Sequence, residues 1–541
     1  MKVLFAVILS MALLLPLPVL AADQSDLMQK IDNMSRELDS LKQQLNEIKK
    51  NDSVREQKIS VIEKKAEKSS APSWLEIGGD YRFRVDSLRG KIPDYIQYNP
   101  LTSAPWQPAP GYPFFLSDRT AGFTVKNETL LLNRFGLNLK AHATEDVTVK
   151  ARLLMYKVWG HETETPVAGN FFADRAFGAF DGVIGHVPSD NALRVDQAFA
   201  TWSNIGGAPV WFSVGRRPST GGVPTNLRQN AEKVGNGGIP GILVDYAFDG
   251  LTLGVAPDID KLPGAYAKVC YGRGFDSGFK RSDVTNSIKD TDFLGIQVVP
   301  VDTDDLHVEL QWQRGFNIFN VPSDGVNLFG QFQPVTTNLG DIDWYGGVVM
   351  KNFEKVGPGN LSLFASGAIS SSHPNDNLMS LPFFFSDPTN PMGSLSNGGF
   401  GLLYDQGGKK SHNGNAFYLG GRYDFTATGT KLGLEYNHGS KYWIGMVPAS
   451  DDLWTSKLGT RGDVYEAYVI QELKQKLISK KGKAFFRLGY QYYNFDYTGS
   501  NNWVGEPKKI SSLNTMDPSG TQLLAPVKNA HDIYFSFDVT F

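Results

Sequence analysis

The stretch that decides the fold is His531-Asp-Ile-Tyr-Phe-Ser-Phe-Asp-Val-Thr-Phe541. Ile533, Phe535, Phe537, Val539 and Phe541 share one face of an extended chain, with Asp532, Ser536, Asp538 and Thr540 on the other. A period of two is the signature of a half-buried strand. Chain ends fray unless they are tied down, so an apolar strand running to the last residue implies a partner for it. A closed barrel supplies one, because its last strand must pair with its first.

Working outward, the same alternation begins at Trp74. In Trp74–Val85, Ile77, Gly79, Tyr81, Phe83 and Val85 oppose Gly78, Asp80, Arg82 and Arg84. In Asp146–Lys157, Val147, Val149, Ala151 and Leu153 oppose Thr148, Lys150 and Arg152. In Leu306–Gln313, Leu306, Val308, Leu310 and Trp312 oppose His307, Glu309, Gln311 and Gln313. The connections alternate in length, as they do in transmembrane barrels. Short ones fall near Ala143–Asp146, Ser203–Pro209, Asp249–Gly250, Val301–Asp305, Phe353–Gly359, Thr426–Thr430 and Lys474–Lys483. Long ones fall near Ser87–Asn127, Trp159–Leu193, Pro218–Gly238, Gly272–Lys289, Asn317–Gly340, Ser371–Asn413, Ile444–Thr460 and Thr498–Asn529. Parity holds if Leu251–Tyr271 is one long or kinked strand. The expectation is an all-β, closed antiparallel transmembrane barrel of about sixteen strands, eighteen being the alternative count, over residues 71–541. An even count puts both barrel ends on the short-turn side. A soluble β-sandwich array would show no such parity.

Composition agrees. The chain has 541 residues, 12% aromatics, 20% charged residues and a net charge of −3, with a mean hydropathy of −0.26. That balance excludes a polybasic nucleic-acid binder and a helical membrane protein with many apolar runs. The single cysteine, Cys270, excludes a disulfide framework and a cysteine-cluster metal site; it reads as a small packing residue. No Cys-x-x-Cys-His motif is present, and no cofactor is expected.

Residues 1–22 read as a signal peptide: Lys2, an apolar run from Val3 to Leu20, then Ala21 and Ala22. An uncleaved anchor is disfavoured by Pro16 and Pro18. Its removal would take the net charge to −4. Residues 23–70 carry a heptad seam of Leu27, Ile31, Met34, Leu38, Leu41, Leu45 and Ile48, continued by Ile59, Ile62 and Ala66, with balanced flanking charge. This predicts a coiled coil about 60 Å long. One helix cannot bury its own stripe, so partner copies are expected, and a trimer is compatible with the seam. A lone amphipathic helix is the alternative.

The polar faces of the strands predict a water-filled lumen lined by Arg82, Arg84, Arg134, Lys140, Lys150, Arg152, Arg422 and Arg487, with Asp80, Glu309, Asp424 and Glu435. The third long loop adds Arg216, Arg217, Arg228 and Lys233 against Glu232, and its Gly and Pro content suits a loop folded into the lumen. In a narrow constriction such an excess of cations favours anions. The alternative is that the arginines pair with lumen carboxylates or bind lipopolysaccharide phosphates. Acidic clusters such as Asp302, Asp304 and Asp305 lack an EF-hand pattern and read as solvated turns.

The terminal pattern resembles the C-terminal signature of Gram-negative outer-membrane proteins, in which Phe535, Phe537, Val539 and Phe541 would be the signal read by the barrel-assembly machinery. Signal peptide, coiled coil and sixteen-strand barrel together resemble the phosphate-selective porins and the outer-membrane channels of metal-respiring bacteria. The resemblance implies an outer-membrane location, a periplasmic amino-terminal segment, contact with outer-membrane lipid, and a homotrimer. Its arginine ladder has no residue-by-residue match here, so phosphate selectivity is not carried over. The leading expectation is a passive channel for small hydrophilic solutes, with peptidoglycan as a further partner of the coil. The alternative is the barrel sheath of a porin–cytochrome electron conduit. An enzyme is not expected: the eight histidines lack motifs, and no G-x-S-x-G elbow occurs.

Overall fold

A computed structural model describes Trp74–Phe541 except residues 99–116, 161–187, 189, 220–221, 234–242, 244–245, 279–288, 321–336, 388–389, 406, 448–450, 475–481, 514, 516–520 and 523–524. The expected signal peptide, and the coiled coil with its seam from Leu27 to Ile48, lie outside the described residues.

Sixteen antiparallel strands close into a barrel. In chain order they are β1 (Leu75–Ile92), β2 (Phe123–His142), β3 (Val147–Val158), β4 (Arg194–Trp202), β5 (Val210–Ser219), β6 (Tyr246–Val255), β7 (Tyr266–Phe275) and β8 (Thr291–Asp302). The circuit continues through β9 (Leu306–Phe319), β10 (Asn338–Val356), β11 (Gly359–Pro374), β12 (Asn413–Phe425), β13 (Thr430–Gly439), β14 (Gly462–Glu472), β15 (Lys483–Phe495) and β16 (Asn529–Thr540). Each strand pairs with its neighbours in sequence, and the ring closes where β16 pairs with β1 from Asp80↔Thr540 to Lys91↔Asn529. The Phe541 amide and carbonyl extend that seam by bonding to Gly79, at 3.0 and 2.9 Å. Smaller three-stranded sheets form among the long connections, one joining Tyr95–Tyr98, Ser117–Thr120 and Thr521–Gln522.

The alternation read from sequence is the alternation of the wall. Ile77, Leu310 and Leu434 are exposed on the outside, at 59%, 57% and 69%. Arg82, Arg84, His307 and Glu309 are buried on the inside. An apolar exterior with a polar interior is what hydrocarbon outside a closed barrel requires.

One turn differs from expectation. Asp249–Gly250 is not a hairpin turn but the middle of β6, where Asp249 pairs with Arg216 on β5 and with Arg273 on β7. Gly250 lets the wall close up there, because a Cβ would stand 2.1 Å from the Tyr271 carbonyl oxygen. The real turn lies between β6 and β7 and contains Pro257 and Pro263, neither of which could donate to a ladder. The expected kinked strand is thus two strands, and the total of sixteen stands.

The lumen also differs. Rather than enclosing only water, the wall packs against inserted loops. Val223, Leu227, Leu243, Trp443, Ile444, Met446 and Leu458, all from connections, form a buried apolar cluster with Phe293, Ile342, Trp344, Val348, Phe364 and Tyr418 of the wall. A second cluster joins Leu453 and Trp454 of the β13–β14 connection to Leu88, Leu132, Tyr156 and Tyr493.

Candidate functional site

Two segments enter the barrel and meet there. The first lies in the β5–β6 connection and carries a short helix, α1 (Thr225–Gln229). Arg216 and Arg217 are not part of it: both belong to β5, where Arg216 pairs with Asp249 at 3.4 Å and Arg217 Nε donates to Ser213 Oγ at 2.9 Å. The second segment is the β13–β14 connection, residues 440–461.

The first segment is tied at several points. Leu227 buries its side chain in the apolar cluster while its carbonyl accepts from Arg422 of β12 at 2.6 Å. The Arg228 carbonyl accepts from Arg487 of β15 at 2.8 Å. Asn230 accepts from Lys431 at 2.7 Å through its side chain and from Lys483 at 2.9 Å through its carbonyl. Lys233 reaches β8, where it pairs with Asp302 and donates to the Thr303 carbonyl at 2.8 Å. A strap therefore runs from the β12–β15 wall to β8. Its anchors at Lys431, Lys483 and Asp302 lie at the strand ends joined by short turns.

The second segment is held by its own core and by ions. The Trp443 indole donates to the Leu458 carbonyl at 2.8 Å, and Trp344 of β10 donates to the Ile444 carbonyl at 2.7 Å. Arg461, almost wholly buried, donates to the carbonyls of Trp443, Thr498, Gly499 and Asn502. Lys457 inserts between Glu435 of β13 and Glu466 of β14, lying 2.5 Å from the latter. Glu466 also lies 3.3 Å from Arg228, and Arg228 pairs with Asp452, so the two segments are bound to each other as well as to the wall.

Asp451 ties this segment to the arginines of β1 and β2. Arg82 pairs with one of its carboxylate oxygens, Arg134 lies 3.7 Å from the same oxygen, and the Tyr156 hydroxyl donates to the other at 3.4 Å. Arg84 donates to its carbonyl at 3.1 Å. Burial works against its charge. Nevertheless Arg82, Arg134, Arg84 and Arg487 hold the carboxyl well below the usual carboxylate range.

The expected lumen cations therefore have defined places. Arg82, Arg84, Arg228, Arg422 and Arg487 are buried, and all but Arg487 form ion pairs with carboxylates. Arg134 and Arg152 share Asp80, and Arg152 also meets Asp196. Lys140 pairs with Glu76 at 2.9 Å on a more open part of the wall and stands directly across from Lys150. Glu309 accepts from His307, which also meets Asp302, while Asp424 pairs with Arg422. Sequence reasoning missed the insertion of the β13–β14 connection. Its signal was present in Trp443, Ile444, Met446, Leu453 and Trp454, which are too apolar for a solvated loop. It also missed Glu466, Asp532 and Asp538, the carboxylates that neutralise the arginines.

Phe535 and Phe541 of the expected assembly signal are exposed on the outer face, at 39% and 44%. Among the described residues no group of three or more His, Cys, Asp or Glu side chains could hold a metal ion.

No curated protein matches the sequence. Among solved structures, OmpT, an outer membrane protein of Vibrio cholerae, is similar at 12% identity and a TM-score of 0.37, covering 87% of this chain and 99% of that one. OprB of Pseudomonas putida is similar at 13% identity and a TM-score of 0.40, covering 86% and 94%. Residues 124–541 match a family model described as a protein of unknown function, DUF3373, and the chain belongs to that family.

Proposed function

We propose that this protein is an outer-membrane channel for small hydrophilic solutes, with a lumen narrowed by the strap and by the β13–β14 segment. The observation that carries this reading is the closed sixteen-strand wall, apolar outside and charged inside. Support for a passage comes from β1–β3, where the side chains of Glu76, Lys140 and His142 keep 48%, 35% and 38% of their surface. These inward positions lie where β1 begins and β2 ends, and in this proposal they are the open mouth of a hydrated lane. Most of the arginines expected to attract anions are neutralised by carboxylates, as the alternative reading of the sequence had it. Any anion preference in this proposal is local to the lane, where Lys140 faces Lys150.

The same proposal places the amino-terminal segment in the periplasm as a coiled coil, after removal of a signal peptide. There it joins copies of the chain into a trimer or contacts peptidoglycan, and the barrel-assembly machinery reads the terminal aromatic strand. It assigns no enzymatic activity. A sheath around a cytochrome would need the volume that the two inserted segments fill, so the packing lends that alternative no support.

Purified protein in planar lipid bilayers tests the proposal. Discrete conductance steps are expected, with a larger step when residues 222–233 are deleted and a near-zero reversal potential in a salt gradient. Absence of any conductance from heat-modifiable, folded protein overturns it.

A further inference from the structure

The interior ion network is uneven at Arg487. Arg487 is 2% exposed, and among the described residues its Nε has no hydrogen-bond partner and no carboxylate forms an ion pair with it. What it has is the Arg228 carbonyl and the face of Tyr534, 5.4 Å away, a ring it shares with Arg84 at 4.7 Å. A buried guanidinium without a counter-ion is costly. The carboxylates that feel its charge are Asp538 and Asp451, the latter together with Arg82, Arg134 and Arg84.

Asp451 belongs to a connection rather than to the wall, whereas all four arginines are wall residues. The loop carboxylate thus sits in a basket made by the Arg82 and Arg134 guanidiniums and the Tyr156 hydroxyl, with Arg84 on the Asp451 carbonyl and Arg487 acting only through its charge. Rigid, planar donors of this kind match carboxylate geometry. We propose that this basket is a binding site for a small carboxylate solute, and that Asp451 is its tethered competitor, which keeps the β13–β14 segment seated until such a solute displaces it. The inference rests on the channel reading only for the solute's route into the lumen.

The physical expectation follows from competition. A tethered group acts at a high effective concentration, so the wild-type protein should bind an external carboxylate weakly. Removing the competitor exposes the site. Calorimetry with succinate, on the full chain in detergent at constant chloride-balanced ionic strength, should show Asp451→Asn binding about tenfold tighter or more than wild type. Adding Arg487→Gln to Asp451→Asn should remove the gain. A second measurement needs no variant: Lys457, buried in the seated segment, should become several times more susceptible to trypsin in saturating succinate than in chloride.

The inference is overturned if folded Asp451→Asn protein binds succinate no more tightly than wild type, if the gain survives loss of Arg487, or if chloride tightens as much as succinate. It is equally overturned if Lys457 stays as protected in succinate as in chloride. A protein that shows both responses but conducts no ions would sink the channel reading alone. One that conducts and shows neither would sink this inference alone.

Discussion

Lys457 has almost no exposed surface and two carboxylates to neutralise, Glu435 and Glu466. Its replacement by Met would leave Glu435 buried without this cation and Glu466 with Arg228 alone, a class of change that costs about 3–5 kcal/mol. Lys457→Met should therefore lower the temperature at which the folded, fast-migrating band converts to the unfolded one. Lys457→Met with Glu435→Gln should recover part of the loss, and a single mutant as heat-stable as wild type would refute the role given to this ion. Glu506 tests a different regime, since it lies among the long connections. Partial burial opposes its ionisation, yet Lys441, 2.7 Å away, and Lys508 pull its carboxyl from an ordinary 4.5 down to about 2. A carboxyl lowered in the folded state supports that state above its ordinary range and loses its contribution as the pH falls through the folded value. Hydrogen exchange of the Asn501–Gly505 amides, corrected for intrinsic rates, should be flat from pH 7 to about 5 and accelerate between about 4.5 and 2. Glu506→Gln should remove that step.

At the level of elements, the two faces of a strand predict opposite responses. Leu310 on β9 points outward and its neighbour Gln311 points inward. Leu310→Arg should cost about 2–4 kcal/mol in urea unfolding from lipid, the range for a cation at mid-bilayer. Gln311→Ala should cost far less, because one of its amide atoms already lacks a partner. Equal effects would mean that the register is misread. This face assignment was legible in the sequence because alternation is local: Leu306, Val308, Leu310 and Trp312 declare it without reference to the rest of the chain. Loop parity was legible for the same reason. Asp249–Gly250 misled because Asp-Gly has turn chemistry, while its pairing with β5 and β7 depends on strands distant in sequence. Arg82 and Arg84 were legible as inward residues, but their neutralisation was not. Asp451 reaches Arg82 across 369 positions of chain, and no periodicity encodes such a contact.

For the whole molecule, the channel reading fixes sidedness. The turn between β6 and β7 would face the periplasm, and the connection containing Lys410 the outside. An epitope inserted after Asp260, which is exposed, should be detected only after the cells are permeabilised. One inserted after Lys410, also exposed, should be detected on intact cells. The reverse pattern would invert the barrel. The packed interior bears as well on how such a barrel can be made. In part of β10–β12 the wall carries apolar side chains on both faces, since Ile342, Trp344, Val348, Phe364 and Tyr418 point into the lumen. A ring that closed empty would expose hydrocarbon to trapped water, and loops arriving late would have to thread into a finished cylinder. Seating of the two segments should therefore accompany closure of the ring. β1 is where they coincide: the strand that completes the circle with β16 also carries the arginines that grip Asp451.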